Sequence, residues 1–136
     1  MDLYNNLPLR KIILTSDFGT WSWDTQSDAV YFNKTYMEML GYAHEQFPFH
    51  VSTWIDLLHP DDREKILENQ RLILEDPSLG ESFEDTFRMR AASGEYRWIL
   101  RRGFILCRDA SGKALHVCGM HIDNKALELS LIHISM

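Results

Sequence analysis

Gly94-Glu95-Tyr96-Arg97-Trp98-Ile99 is the stretch on which the fold turns. Turn chemistry in Ala92-Ser93-Gly94-Glu95 opens onto a long strand-like run from Tyr96 to Arg108. Before the turn, Phe83, Phe87 and Met89 share one face, and Glu84, Thr86, Arg88 and Arg90 share the other, with Asp85 against the rule. A second turn, Asp109-Ala110-Ser111-Gly112, leads into Lys113 to Asp123. Strands joined by connections this short must be antiparallel neighbours, so the last third is a three-stranded meander.

Working toward the N-terminus, His59-Pro60-Asp61-Asp62 predicts the start of the longest helix. Proline is tolerated in a first turn, and two carboxylates there face the positive end of the helix dipole. Ile66, Leu67, Leu72, Ile73 and Leu74 give that helix an apolar face until Asp76-Pro77 stops it. Trp54, Leu57 and Leu58 have the spacing of a shorter helix, and Tyr36 to Leu40 of another that ends at Gly41. From Gly19 the period is two: Trp21 and Trp23 alternate with Ser22 and Asp24, Gln26-Ser27-Asp28 turns, and Val30-Tyr31-Phe32 resumes. The order predicts an α+β fold, a five-stranded antiparallel sheet with short helices packed on one face. Leu3, Leu7, Ile12, Ile13 and Leu14 suggest an N-terminal helix or extended lead-in with Pro8 near its start.

With 136 residues, 45% of them hydrophobic, the chain has material for one core. A net charge of −6 opposes nonspecific binding to DNA or anionic lipid. No apolar run reaches the roughly 20 residues that cross a bilayer, and the first residues lack signal-peptide logic. Cys107 and Cys118 lie in apolar strands, which suits buried thiols in a reducing compartment, and the expected location is cytoplasmic.

Gly19-Thr20-Trp21-Ser22-Trp23-Asp24, Leu40-Gly41-Tyr42, Trp54, His59-Pro60-Asp61-Asp62, Phe87-Arg88-Met89-Arg90, Gly94 to Ile99, Asp109 to Gly112, and Gly119 with Asp123 occur in the order that resembles PAS domains carrying the PAC signature. The resemblance covers residues 17–125, leaving 1–16 as an N-terminal flanking segment or helix and 126–136 as a C-terminal linker or tail. It implies a cavity between the sheet's inner face and the helices, and an outer face covered by a flanking helix or a partner in a homodimer. It also implies an input module that signals through its last strand to an effector such as a histidine kinase or diguanylate cyclase, for which these 136 residues leave no room. Asp123 occupies the relay position. The family pattern continues Ile-Thr, where this chain has Asn124-Lys125.

For chemistry, Cys107, His116, Cys118 and His121 are the candidate metal set. Their strand parity differs and no ligand spacing links them, so a structural or surface role is expected and no metal. Haem-binding relatives carry a histidine on the long helix, and residues 61–76 hold none. Flavin photochemistry in light-oxygen-voltage relatives needs a cysteine in the helical middle, whereas both cysteines here fall on strands. The cofactor is therefore left unassigned. Adjacent Asp61 and Asp62 diverge on a helix and read as helix-end stabilisation, and no nucleophile elbow exists, so no catalytic residues are expected. Arg88, Arg90, Arg97, Arg101, Arg102 and Arg108 read as cross-strand ion-pair partners on a solvated or dimer-facing surface, with no nucleic-acid role. Trp54, Phe87, Met89, Trp98 and Met120 are the candidate ligand-binding set, weighed against plain core. The expected function is a sensory domain for a small ligand or a partner. The alternative is a ligand-free interaction and dimerisation module. In the tail, Ala126, Leu127, Leu129, Leu131, Ile132 and Ile134 are expected to fray, or to pack on the outer sheet face or on a second copy.

Overall fold

A computed structural model describes residues 18–123. The expected N-terminal helix, the Asn124-Lys125 junction and the apolar tail lie outside them. Strands β1 (Gly19–Asp24) and β2 (Ala29–Phe32) form the first hairpin. Helices α1 (Lys34–Glu38), α2 (Val51–Leu57) and α3 (Pro60–Glu75) follow, with 3-10 turns at His44–Gln46 and Pro77–Leu79. The meander is β3 (Ser82–Arg90), β4 (Tyr96–Arg108) and β5 (Ala114–Asp123). All five strands make one antiparallel sheet in the order β2-β1-β5-β4-β3.

Register assigns the faces. Trp21 pairs with Phe32 and Gly119, Ile99 with Phe87, and Arg101 with both Asp85 and His121. Odd-numbered residues of β1, β3, β4 and most of β5 thus share the inner face, on which the three helices pack. Trp21, Phe32, Phe87, Met89, Ile99, Ile105 and Val117 join Tyr36, Met37, Trp54, Leu57, Leu58 and Ile66 in one core. A register shift between Ile105 and Cys107 breaks the alternation and leaves Cys107 exposed; Cys118, opposite Phe104, is buried. The sequence reading of two buried thiols is corrected by that bulge.

The helices are fixed by local chemistry. The Asn33 side chain accepts from Tyr36 N at 3.0 Å to cap α1 and from Thr20 N at 2.9 Å, tying the helix to β1. His59 Nδ1 accepts from Asp61 N at 3.0 Å and caps α3. At the other end of α3 the last turn carries no basic residue of its own. Arg108 reaches over from β4 and donates to Ile73 O and Leu74 O at 3.2 and 3.0 Å, pairing carbonyls that a helix end leaves free.

Asp62 does something its sequence position did not suggest. Its carboxylate accepts from the backbone N of Arg88 at 2.9 Å and from the Arg88 guanidinium at 2.7 and 3.0 Å, while His59 N donates to Arg88 O at 2.9 Å. The helix start thereby stands in for a missing strand and covers the outer edge of β3.

Candidate functional site

A cavity lies between the inner sheet face and the helices. Its volume is about 20 Å³, room for one water. Its walls come from every layer: Trp21 and Trp23 of β1, Tyr36 of α1, Trp54 of α2, and Gln70, Arg101 and His121 of α3, β4 and β5.

Arg101 dominates the site. It is 3% exposed, and its guanidinium donates to Asp85 Oδ1 and Oδ2 at 2.9 and 2.7 Å and to Gln70 Oε1 at 2.7 Å. Trp54, Phe83 and Phe87 surround the cation, with ring centroids 4.7, 5.1 and 5.3 Å from Cζ. A buried cation is tolerated only when paired and hydrogen-bonded, and Asp85 and Gln70 meet that condition. The sequence placed Arg101 on a solvated or dimer-facing surface. The structure moves it inside, because it shares strand parity with Ile99 and Ile105, and Asp85 breaks its own apolar face to meet it. Arg102 does pair across strands with exposed Glu84, at 2.9 Å.

His121 is 2% exposed. It stacks on Tyr36 with ring centroids 4.5 Å apart and meets Phe87 edge-on at 5.5 Å. Burial, reinforced by the Arg101 charge, holds the imidazole well below its ordinary pKa, so it is neutral at pH 7. Burial also raises the Tyr36 hydroxyl far above the usual phenol range, against a smaller opposing effect of Arg101. The indole N–H groups of Trp21 and Trp54 are buried without a hydrogen-bond partner. Each unpaired donor costs about 1–3 kcal/mol.

The five residues expected to bind a ligand do not meet at one place. Trp54 lines the cavity. Phe87 is fully buried and sits edge-on to Trp54 at 5.6 Å, and Met89 is fully buried in the same core. Trp98 and Met120, even-numbered and paired with Arg88 and Arg102, fall on the opposite sheet face, where the Arg88 guanidinium lies 5.2 Å from the Trp98 ring. Asp123 is ion-paired with Arg97 at 3.3 Å. Sequence reasoning considered His121 only as a metal ligand and did not select Trp21, Tyr36 or Gln70. The signal for His121 was its parity with Val117 and Gly119; Gln70, a polar residue on α3, gave no comparable signal.

Among the described residues no three His, Cys, Asp or Glu side chains gather as a metal ion would require, and no helix is long and apolar enough to cross a membrane.

The family model for the PAS fold matches residues 29–121. Solved structures similar to this chain include a sensory box histidine kinase/response regulator from Burkholderia thailandensis, 23% identical, with a TM-score of 0.72 over 93% of this chain and 92% of that one. The N-terminal domain of a diguanylate cyclase with PAS/PAC sensor from Marinobacter aquaeolei is also 23% identical, with a TM-score of 0.70 over 82% of this chain and 98% of that one. A LOV protein of Rhodobacter sphaeroides is 17% identical, with a TM-score of 0.68 over 90% and 68%. At these identities the likeness is one of fold. No curated protein matches the chain by sequence.

Proposed function

The chain belongs to the PAS family, and from that premise we propose that it is a sensory or regulatory domain without catalytic activity. In this reading it holds a small ligand in the cavity and relays a change of packing to an effector outside these residues, such as a histidine kinase or diguanylate cyclase. The supporting observation is the placement of Arg101 and His121 on adjacent central strands, both in the cavity wall, with Arg101 also joined to α3 through Gln70. An occupant that displaced either side chain would act on β4, β5 and the long helix together. Two packings then differ in ligand affinity, which is what a population shift requires. Asp123, paired with Arg97 at the end of β5, is the proposed relay residue, and a cytoplasmic homodimer built around a core of residues 17–125 is the proposed working form.

A second reading has its own support. Space for one water is far below the roughly 300 Å³ of an ordinary ligand pocket. A domain closed to this degree would serve as a ligand-free interaction and dimerisation module. Native mass spectrometry of protein purified from cells separates the two. A retained small molecule is the expected result. A clean apo mass, with dimers that persist on dilution, favours the second reading.

A further inference from the structure

His121 is buried where a positive charge is hardest to hold. Its direct cross-strand neighbour on β4 is Arg101, a cation that is itself 3% exposed. On its other sides stand the rings of Tyr36, Trp21 and Phe87, with centroids 4.5, 6.2 and 5.5 Å away. The carboxylates on the same sheet face are committed elsewhere. Asp85, one strand beyond Arg101, is bonded to that guanidinium, and Asp123, next on the same face of β5, is bonded to Arg97. A protonated His121 would be a second buried cation beside the first, with no partner of its own, an arrangement that proteins avoid.

The position of His121 decides what would move. It pairs with Gly19 at the end of the contact between β1 and β5, so the two ends of the described chain meet beside it. Helix α1 closes over the same spot: a side chain at Gly19 would stand 2.7 Å from Tyr36 Cα, and the Tyr36 ring stacks on the imidazole. Asn33 ties the start of α1 to Thr20 N. Freeing the ring asks the last pairs, Gly19 with His121 and Thr20 with Met120, to part, whereas the pairing of β3 with β4 involves none of these residues. Local openings of this kind need less free energy than global unfolding.

We propose that the stack of Tyr36 on His121 is a proton-sensitive latch, closed over a neutral imidazole and released when His121 takes up a proton, so that acidification opens the end of the sheet where β1 begins and β5 ends. A free imidazole titrates near pH 6.5, at about its unperturbed value, and burial beside Arg101 keeps the closed one from protonating. One proton bound only in the open state multiplies the opening constant about tenfold for each pH unit below that value. The latch does not rest on a ligand in the cavity, so the mass spectrometry that tests the ligand does not bear on it.

The test is amide hydrogen exchange of the ¹⁵N-labelled full chain between about pH 7.5 and 5.5, with each rate divided into the intrinsic rate at the same pH. The amides of Thr20 and Tyr36, both bonded to the Asn33 side chain, and that of His121 report on the latch. Their protection should fall about tenfold per pH unit below 6.5. It should also lie well below that of Phe87 and Ile99, a pair within β3 and β4, as an opening short of global unfolding requires. His121→Phe keeps a ring against Tyr36 and cannot take a proton, so protection at Thr20 and Tyr36 should lose its pH dependence. If that variant does not fold, the parent profile decides alone. Constant protection at the three amides, protection equal to that of Phe87 and Ile99 at every pH, or an unchanged slope in folded His121→Phe would each overturn the latch.

Discussion

Arg101 and Asp85 face each other across the β3–β4 register and join through two parallel hydrogen bonds, 2.9 and 2.7 Å, on the buried side of the sheet. Removing one partner strands the other charge. Asp85→Ala should cost about 3–5 kcal/mol in urea denaturation. The double change Asp85→Leu with Arg101→Met should recover most of that loss, because a well-packed apolar pair often matches a buried ion pair. A double variant as unstable as the single one would show that the pair does more than cancel its own charges.

Asp61 and Asp62 are neighbours with separate tasks. Asp61 is exposed, whereas Asp62 binds both the backbone and the side chain of Arg88. Asp62→Ala should destabilise by about 1–3 kcal/mol, leaving an unpaired strand N–H, and Asp61→Ala should change little. The Arg88 hydrogen bond holds the Asp62 carboxyl below its usual range. Its contribution is therefore present above the unfolded pKa of about 3.9 and is lost as pH falls below it. Equal losses for the two alanine variants would contradict this division.

His121 gives a different pH window. Its native pKa is depressed, so below about pH 6.5 the unfolded chain takes up a proton that the folded chain refuses. Stability should fall as pH drops from 6.5, by at most about 1.4 kcal/mol per pH unit, until the native pKa is reached. The charged or titratable groups facing the imidazole are Arg101 and Tyr36, and the Trp21 and Phe87 rings complete its surroundings. His121→Phe should remove this part of the slope between about pH 5 and 6.5. Parallel pH profiles for parent and variant would contradict it.

Two glycines should respond unequally. Gly94 sits at φ 91° in the β3–β4 turn with nothing within 4 Å of an added Cβ, so Gly94→Ala strains only the backbone and should cost about 1–2 kcal/mol. Gly119 lies deep in β5, where an added Cβ would collide with Arg102 O and stand 2.7 Å from the Trp21 ring. Gly119→Ala must push strands apart and should lower the melting temperature far more. Similar melting shifts for both would refute the packing argument.

Thiol labelling should distinguish the cysteines. Cys107 is exposed, while burial pushes the Cys118 thiol up to about 11. An alkylating reagent at neutral pH should modify Cys107 in the folded chain and Cys118 only on unfolding. Simultaneous loss of both thiols under native conditions would contradict the burial of Cys118.

Much of the sheet was readable because its turns fix its register. With the chain reversing at Ala91 to Glu95, Arg90 meets Tyr96 and every earlier residue of β3 acquires a definite partner. Asp85 opposite Arg101 follows from the same count, so the two charges on apolar faces formed one legible signal that inspection of each strand alone misses. The bulge after Ile105 was not legible, since nothing in Ile105-Leu106-Cys107 marks an extra residue. The Asp62 contact was hidden for another reason: it spans 26 residues and depends on where a helix docks. The ligand set mixed the two sides of the sheet. Aromatic and methionine content was weighed there without parity, which alone separates Trp98 and Met120 from Trp54.

Strand β5 is the last described strand in the chain and the middle one in the sheet, with β1 on one side and β4 on the other. During synthesis the β1–β2 hairpin and the β3–β4 hairpin emerge first, each with a naked edge and no route to the other. Assembly waits for the final stretch to slot between them, closing contacts that reach back about one hundred residues in the case of Gly19 with His121. The nascent domain is thus an all-or-nothing object. A ribosome stalled before Ala114 would carry two sticky halves, the species on which a chaperone would act.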